Sequence, residues 1–190
     1  MEVPLFKVFM SPEAGQKVCE TLYSGWIGQG SQVELFEQRL ADYLGTRQVV
    51  TVNSGTAALQ LALKLVCQSG QEVIVPPLTC FATTAAILAN GLRPKWADIS
   101  LKTFNVDLDD VERKLSPTTR AIVLVHLGGL PVDLDRVADI QRTCHRKFGF
   151  TPAVIEDAAH AFGAEYRGRK LGTHSNIVCY SFQAIKTLTC

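Results

Sequence analysis

The sequence predicts an α/β fold built around a mostly parallel sheet with helices on both faces. Short runs rich in β-branched residues alternate with longer helical segments, an alternation typical of parallel sheets. Residues 120–125 (RAIVLV) form a continuous apolar run, as expected for a strand covered on both faces. We divide the chain into an N-terminal segment, residues 1–45, and the domain that contains the sheet, residues 46–190.

The first half of the chain begins with a glycine-bearing loop and an amphipathic helix within the N-terminal segment. Short apolar runs then predict strands at 48–52, 72–75 and 95–98. Ala, Leu and Lys in helix-favouring order predict a helix at 55–67, and a second helix is predicted at 83–89.

The second half continues the alternation. Asp107 is a suitable N-terminal cap for a helix at 108–115, and an amphipathic pattern predicts a longer helix at 134–148. Apolar runs at 153–155 and 177–182, each bounded by turn residues, predict the remaining strands.

The composition is that of an ordinary globular protein, with 47% hydrophobic and 19% charged residues. The net charge is +1 and the basic residues are scattered, so no nucleic acid or membrane surface is expected as a partner. No apolar run approaches the roughly 18 residues of a membrane span, and the N-terminus does not have the pattern of a signal peptide.

The six cysteines and four histidines show no metal-binding spacing. No CxxC pair occurs, and several cysteines lie inside apolar runs, where the thiol behaves as a small hydrophobe. We therefore expect no disulfide and no metal site, and a reduced, cytoplasmic setting.

A carboxylate and an amine follow two of the predicted strands. Asp157 ends the apolar run that begins near Ala153, and Lys186 comes just after the run at 177–182. Ligands of open α/β sheets bind at the carboxyl ends of strands, so both side chains are expected to face one pocket. This pair suits pyridoxal 5'-phosphate, with a lysine that forms the Schiff base and an acid that keeps the pyridine nitrogen protonated. The alternative is an Asp that caps the next helix and a solvated Lys.

Further candidates for the same site come from two other strand ends. Gly55 and Thr56 lie where a strand passes into a helix, and small residues there let the backbone approach a phosphate at the helix N-terminus. Ser181 offers a hydroxyl as a second phosphate ligand, and His160 follows Asp157 by three residues. The alternatives are an ordinary Ser or Thr cap for the helix and a structural histidine.

Five motifs in order resemble the DegT/DnrJ/EryC1/StrS family, from about Leu22 to the C-terminus: SGWIGQG, NSGTAALQLALK, EVIVPPLTCFATTAAIL, VIEDAAHAFGAEYRGRKLG and CYSFQAIK. Members of this family are fold-type-I, pyridoxal-phosphate-dependent aminotransferases that act on nucleotide-linked keto-sugars. The resemblance implies that residues 46–190 are the cofactor-binding large domain.

The resemblance also assigns roles to individual residues. It implies that Lys186 carries the cofactor and that Asp157 contacts the pyridine nitrogen. It implies that Gly55, Thr56 and Ser181 hold the phosphate, and that His160 lies near the 3' oxygen. The family's ring-stacking aromatic residue falls on Cys80 here, with Phe81 one position later, so the cover of the ring face differs from the family pattern.

The family's chains run to roughly twice this length, so we interpret the sequence as the N-terminal half of such an enzyme, truncated before the small C-terminal domain. The part beyond it is expected to supply a strand between the one near Val50 and the one at 177–182. Without that strand the sheet would have a gap with unpaired edges, which favours aggregation and leaves the 190-residue chain without activity.

The expected reaction is transfer of an amino group, with glutamate as the donor by resemblance, to a nucleotide-linked keto-sugar in polysaccharide or antibiotic-sugar biosynthesis. The full-length form is expected to be a homodimer. Two alternatives stay open: another pyridoxal-phosphate reaction on the same fold, and a truncated, non-catalytic module that binds cofactor or a partner.

Overall fold

A computed structural model describes residues 7–174 and 176–188. The strands are, in chain order, β1 (Glu72–Val75), β2 (Arg93–Trp96), β3 (Thr119–Val125), β4 (Ala153–Asp157), β5 (Glu165–Tyr166), β6 (Arg169–Lys170) and β7 (Ile177–Cys179). Five of them form a parallel sheet in the order β2-β1-β3-β4-β7, and β5 and β6 form a separate antiparallel hairpin. The predicted α/β fold with a parallel sheet is confirmed.

Six α-helices accompany the strands. They are α1 (Ala14–Ser24), α2 (Ser31–Leu44), α3 (Gly55–Val66), α4 (Phe81–Ala89), α5 (Leu108–Arg113) and α6 (Leu134–Phe148). Side chains cap three of them, because Ser54, Asp107 and Asp133 accept hydrogen bonds from first-turn amides of α3, α5 and α6. In the described part of the chain, no helix is long and apolar enough to cross a membrane.

Alternate residues of each central strand enter two separate cores. Val73, Val75, Val123 and Ile155 pack with residues of α3 and α4 on one face, including Leu63. On the other face, Ile74, Ile122, Leu124 and Val154 pack with residues of α5 and α6, including Ile140. Both faces of the sheet are thus covered by helices, which is why the strands are apolar without interruption.

Several predicted boundaries shift by one to three residues. The strand predicted at 95–98 is Arg93–Trp96, because β2 lies at the sheet edge, where Pro94 is tolerated. The strand predicted at 153–155 continues to Asp157, whereas the one predicted at 177–182 ends at Cys179. The helix predicted at 83–89 begins at Phe81, and the helix predicted at 108–115 ends at Arg113.

The strand predicted at 48–52 is wrong. These residues form no ladder with any described strand, and Val50 is 82% exposed. The amide and carbonyl groups of a strand need hydrogen-bond partners on a neighbouring strand, and here a side chain is the hydrogen-bond partner instead. Glu37 of α2 accepts hydrogen bonds from the backbone N–H of Thr51 at 2.7 Å and from its hydroxyl at 2.8 Å.

The N-terminal segment contains one helix more than the sequence predicts. The expected amphipathic helix is α2, but α1 precedes it, and none of the residues of α1 is buried within the described part of the chain. The signal that was missed is the amphipathic spacing of Val18 and Leu22, which indicates a helix even though both side chains are more than half exposed.

An aromatic cluster joins α2 to the two segments that follow β4 and β7. It consists of Phe36, Tyr43, Phe162, Tyr180 and Phe182, with neighbouring ring centroids 5.3 to 6.5 Å apart. These contacts turn the chain away from the sheet after Cys179. They therefore fix the direction in which the last described residues leave the sheet.

Candidate active site

The carboxyl ends of three neighbouring strands coincide at one edge of the sheet. Val125 of β3 pairs with Asp157 of β4, and Asp157 pairs with Cys179 of β7. A small cavity lies at this edge, lined by Thr79, Cys80, Val125, Leu127, Asp157, Ala159, His160 and Lys186. Four of the seven predicted site residues are thus brought together, namely Asp157, Lys186, His160 and Cys80.

Asp157 is held by hydrogen bonds on both carboxylate oxygens. Oδ2 accepts from the Thr83 hydroxyl at 2.7 Å, and Oδ1 accepts from the backbone N–H of Ala159 at 3.1 Å. The side chain is 6% exposed. The alternative role as a helix cap does not apply, because the residues after Asp157 form a turn and not a helix.

Thr83 and Thr79 are contacts of this site that the sequence reasoning missed. The Thr83 hydroxyl donates to Asp157, so it accepts from the Thr79 hydroxyl, which lies 2.8 Å away. The two hydroxyls therefore form a directed chain that ends on the carboxylate. The signal available in the sequence was the four-residue spacing of two threonines at the start of α4, which places them on one side of a helical turn.

Lys186 lies in a turn beyond β7 and is half-buried. Its backbone N–H donates to the carbonyl of Gln183 at 2.8 Å, and the side chain of Gln183 accepts from the N–H of Ile185 at 3.2 Å. Among the residues that the structure describes, no carboxylate forms a salt bridge with Lys186. The amine lines the cavity instead of lying in open solvent.

Gly55, Thr56 and Ser181 belong to an adjoining part of the site and do not line this cavity. A Cβ atom at Gly55 would lie 3.1 Å from Cβ of Ser181 and 3.3 Å from the carbonyl oxygen of Tyr180, so the backbone of α3 approaches Ser181 as closely as glycine allows. Ser54 caps α3 by accepting from the N–H of Ala57 at 3.1 Å.

The cap leaves the amides of Gly55 and Thr56 available. Neither of them donates a hydrogen bond to any described residue, and they lie at the positive end of the helix dipole beside the Ser181 hydroxyl. Two free amides, one hydroxyl and no side chain at residue 55 are the features of a phosphate cradle. A helix cap and a phosphate site are therefore compatible here, because the cap uses the Ser54 hydroxyl and the phosphate site would use the amides of Gly55 and Thr56.

His160 is exposed at the rim of the cavity. Desolvation lowers the pKa of its imidazole, the positive charge of Lys186 lowers it further, and Asp157 opposes both effects. The expected helical turn from Asp157 to His160 is absent, yet both residues line the same cavity.

Cys80 immediately precedes α4 and lines the cavity, whereas Phe81 is 73% exposed and does not. Successive residues at this helix start point in different directions, so Phe81 does not take the position of Cys80. The thiol is exposed to solvent. Two other cysteines differ from it, because burial raises the pKa of Cys67 to about 11 and that of Cys179 to about 12.

The sequence profile of the DegT/DnrJ/EryC1/StrS aminotransferase family matches residues 10–190. The chain belongs to this family. It is 39% identical over 187 residues to the spore coat polysaccharide biosynthesis protein SpsC of Bacillus subtilis, covering 98% of this chain and 46% of SpsC. It is 35% identical to GDP-perosamine synthase of Escherichia coli O157:H7, covering 98% of this chain and 50% of the synthase.

Solved structures of similar proteins have the same fold. AtS13 from Actinomadura melliaura is 54% identical with a TM-score of 0.96, covering 99% of this chain and 51% of AtS13. The sugar aminotransferase CalS13 from Micromonospora echinospora is 46% identical with a TM-score of 0.95, covering 99% of this chain and 52% of CalS13. The PLP form of the sugar aminotransferase Spr1654 from Streptococcus pneumoniae is 33% identical with a TM-score of 0.93, covering 100% and 51%.

This DegT-family chain spans about half the length of the curated relatives it matches. Its fold is that of the large domain of fold-type-I aminotransferases, as the resemblance implied. The family that the chain belongs to is a family of aminotransferases.

The contact between Thr83 and Asp157 leads to a prediction about stability. Thr83→Val keeps the shape of a buried side chain but leaves a carboxylate oxygen of Asp157 without its donor. We expect the free energy of unfolding to fall by about 1–3 kcal/mol. Urea denaturation at neutral pH measures it.

The matched control is Thr84→Val, since the side chain of Thr84 makes no hydrogen bond within the described ranges. It should change the free energy of unfolding by less than about 0.5 kcal/mol. Thr83→Ser, which keeps the hydroxyl, should recover most of the loss. Equal effects of the two valine substitutions would show that the hydrogen bond to Asp157 is not what Thr83 contributes.

Proposed function

We propose that this protein binds pyridoxal 5'-phosphate and transfers an amino group from a donor, glutamate, to a nucleotide-linked keto-sugar. The observation that carries the proposal is the placement of Lys186 and Asp157 in one cavity at the carboxyl edge of a parallel sheet. Membership of an aminotransferase family and similarity to a protein solved in a PLP form support it.

The residues present fit the cofactor at each of its ends. The amides of Gly55 and Thr56 and the hydroxyl of Ser181 would hold the phosphate at the start of α3, where the absence of a side chain at residue 55 lets Ser181 approach the helix. Asp157 would contact the ring nitrogen and His160 the 3' oxygen. Cys80 would lie against one face of the ring, in place of an aromatic residue.

When bound, the cofactor supplies an electron sink for the carbon that loses or gains the amino group. Lys186 would hold the cofactor through its amino group, and the same amine would move a proton at that carbon. Asp157 would keep a proton at the ring nitrogen, and the Thr83 hydroxyl and the Ala159 amide, which both donate to the Asp157 carboxylate, hold this carboxylate in place. Val125, Leu127 and Ala159 form an apolar wall that limits access of water to the cavity.

The substrate class follows from the relatives. GDP-perosamine synthase is 35% identical, as is a dTDP-4-dehydro-2,3,6-trideoxy-D-glucose 4-aminotransferase from Saccharopolyspora spinosa. Both names contain a nucleotide-linked sugar, and this supports a keto-sugar acceptor in polysaccharide or antibiotic-sugar biosynthesis. A lysine at position 186 supports transamination over dehydration, for which the family resemblance implies histidine at this place.

The organisation of the protein is part of the same proposal. We propose that residues 46–190 make up the cofactor-binding domain and that residues 1–45 form a separate segment. We propose a homodimer, supported by the exposed side chains of Val18, Leu22 and Tyr23 on α1. A cytoplasmic setting is proposed because five of the six cysteines are described and all five are free thiols.

The role of Lys186 is tested by trapping the cofactor. Borohydride added to the protein with radiolabelled pyridoxal phosphate should fix the label on Lys186, because this amine lines the cavity beside Asp157. Lys186→Ala should remove the label, whereas Lys102→Ala, at an exposed loop position, should leave it unchanged. Peptide mapping identifies the modified lysine, and specific label on a different lysine would refute the assignment.

The position of Cys80 is tested by protection from alkylation. Cys80 and Cys19 are both exposed, so iodoacetamide should modify both rapidly, and burial should keep Cys179 slow. Saturating pyridoxal phosphate should slow modification of Cys80 at least fivefold and leave Cys19 unchanged. Mass spectrometry of the peptides gives the two rates. Equal rates at Cys80 with and without the cofactor would exclude it from the ring face.

The role of Asp157 separates binding from turnover. Asp157→Asn keeps the shape of the side chain but cannot hold a proton at the ring nitrogen, so we expect most of the cofactor affinity to remain. The rate of the absorbance change that glutamate induces in the bound cofactor should fall by about 10²- to 10³-fold. Stopped-flow absorbance measures it, with the exposed Asp42→Asn as the control. A rate within a few-fold of the parent would contradict this role.

A further inference from the structure

Glu156 precedes Asp157 on β4 and faces the opposite side of the sheet, where nothing in the proposed chemistry uses it. It is completely buried, with 0% exposure, and so is the imidazole of His126 beside it. Oε2 of Glu156 lies 2.9 Å from Nε2 of His126, and Oε1 accepts from the side-chain amide of Asn176 at 2.7 Å. Burying a charged group at this depth costs free energy unless hydrogen bonds compensate for the lost contact with water.

The hydrogen bonds define the protonation of the pair. The backbone N–H of Val132 donates to Nδ1 of His126 at 3.0 Å, so Nδ1 carries no proton. The imidazole is then neutral, with its proton on Nε2, and donates to Glu156. Both oxygens of Glu156 accept hydrogen bonds, as a carboxylate does. The unit is therefore one buried anion held by a neutral imidazole and an amide.

The three members of this unit belong to three adjacent parts of the sheet. His126 follows β3, Glu156 lies within β4, and Asn176 directly precedes β7. Residues that line the cavity follow two of the three members: Leu127 follows His126, and Asp157 follows Glu156. The backbone N–H of His126 also donates to the carbonyl oxygen of Asp157 at 3.1 Å.

Comparison with the side chain of Asn105 shows what the hydrogen bonds of Glu156 contribute. The side chain of Asn105 accepts from the N–H of Leu127 at 3.0 Å and donates to the carbonyl of Leu130 at 2.9 Å, so it fixes the shape of the turn after β3. It forms no hydrogen bond with β4 or β7 among the described residues. The unit around Glu156 and the hydrogen bond from the His126 N–H to the Asp157 carbonyl link that turn to β4, and Asn176 extends the link to the start of β7.

We propose that Glu156 is a positioning residue for the cofactor cavity: its buried carboxylate, by binding His126 and Asn176, aligns the ends of β3 and β4 with the start of β7 and so orients Asp157. The inference rests on the proposed function only for the identity of the ligand that the cavity binds. Glu156 does not reach the cavity itself and acts through its neighbours.

The first measurement needs no cofactor. The N–H of Ala159 donates to Oδ1 of Asp157, so its hydrogen exchange reports the orientation of that side chain. Glu156→Gln can still accept from His126 but loses the charge and the paired bond to Asn176. We expect the Ala159 amide to exchange at least tenfold faster in this variant, measured by NMR, with unchanged exchange in the interior of α6.

The control is Glu165→Gln, the same chemical change at an exposed glutamate of β5, which should leave the Ala159 amide within twofold of the parent. Acceleration that occurs equally in α6 would show a loss of global stability only and would overturn the proposal. An unchanged Ala159 amide in Glu156→Gln would also overturn it. If that variant does not fold, Asn176→Ala decides, because Asn176 is half-buried and its replacement is less disruptive. About threefold faster exchange of the Ala159 amide in this variant supports the proposal, and exchange at the rate of the parent refutes it.

The second measurement uses pyridoxal phosphate as the probe. Glu156→Gln should bind it at least tenfold more weakly and should change its induced circular dichroism, which reports the orientation of the ring. A variant that melts at a lower temperature but keeps affinity and dichroism would have only a structural role. If the parent itself does not bind the cofactor at Lys186, the proposed function fails, and the exchange result still decides whether Glu156 positions Asp157.

Discussion

The parallel pairing of β3, β4 and β7 is the constraint on which the rest of the site depends. In a parallel ladder all strands end at the same edge, so Val125, Asp157 and Cys179 lie side by side although they are far apart in the chain. Helices cover both faces of the sheet, and the cavity lies at this edge. The loops that follow the strands therefore deliver their polar side chains to one place.

Much of the fold could be predicted because burial on both faces leaves a clear pattern in the sequence. The strand Glu72–Val75 and the helix Leu134–Phe148 have the predicted bounds, since one is an apolar run and the other an amphipathic repeat. Residues 48–52 have the same apolar character but no neighbour to pair with, and composition alone does not reveal a missing neighbour. The helix α1 was also missed, and none of its residues is buried within the described part of the chain.

Site residues whose side chains have a recognisable chemical role could be predicted from the sequence. Residues that act by holding another side chain in place could not. Asp157 and Lys186 stand out as a carboxylate and an amine at strand ends, and the structure places them in one cavity. Thr83 is 74 positions away from Asp157, and His126 is 30 positions away from Glu156, so these contacts arise only from the tertiary fold. Local spacing contains no information about such pairs.

The close approach of Gly55 to Ser181 has a consequence for the dimensions of the site. The start of α3 rests on the backbone that continues from Tyr180 toward Lys186, with only the thickness of a glycine between them. The contact between Gly55 and Ser181 thus helps to set the distance between the helix end, which favours an anion, and the turn that contains Lys186. A set distance between two binding groups selects ligands by length as well as by charge, because a longer or shorter molecule cannot reach both groups at once. A side chain at residue 55 would press on Ser181 and on the carbonyl oxygen of Tyr180, so it would have to be accompanied by a shift of the segment that leads to Lys186.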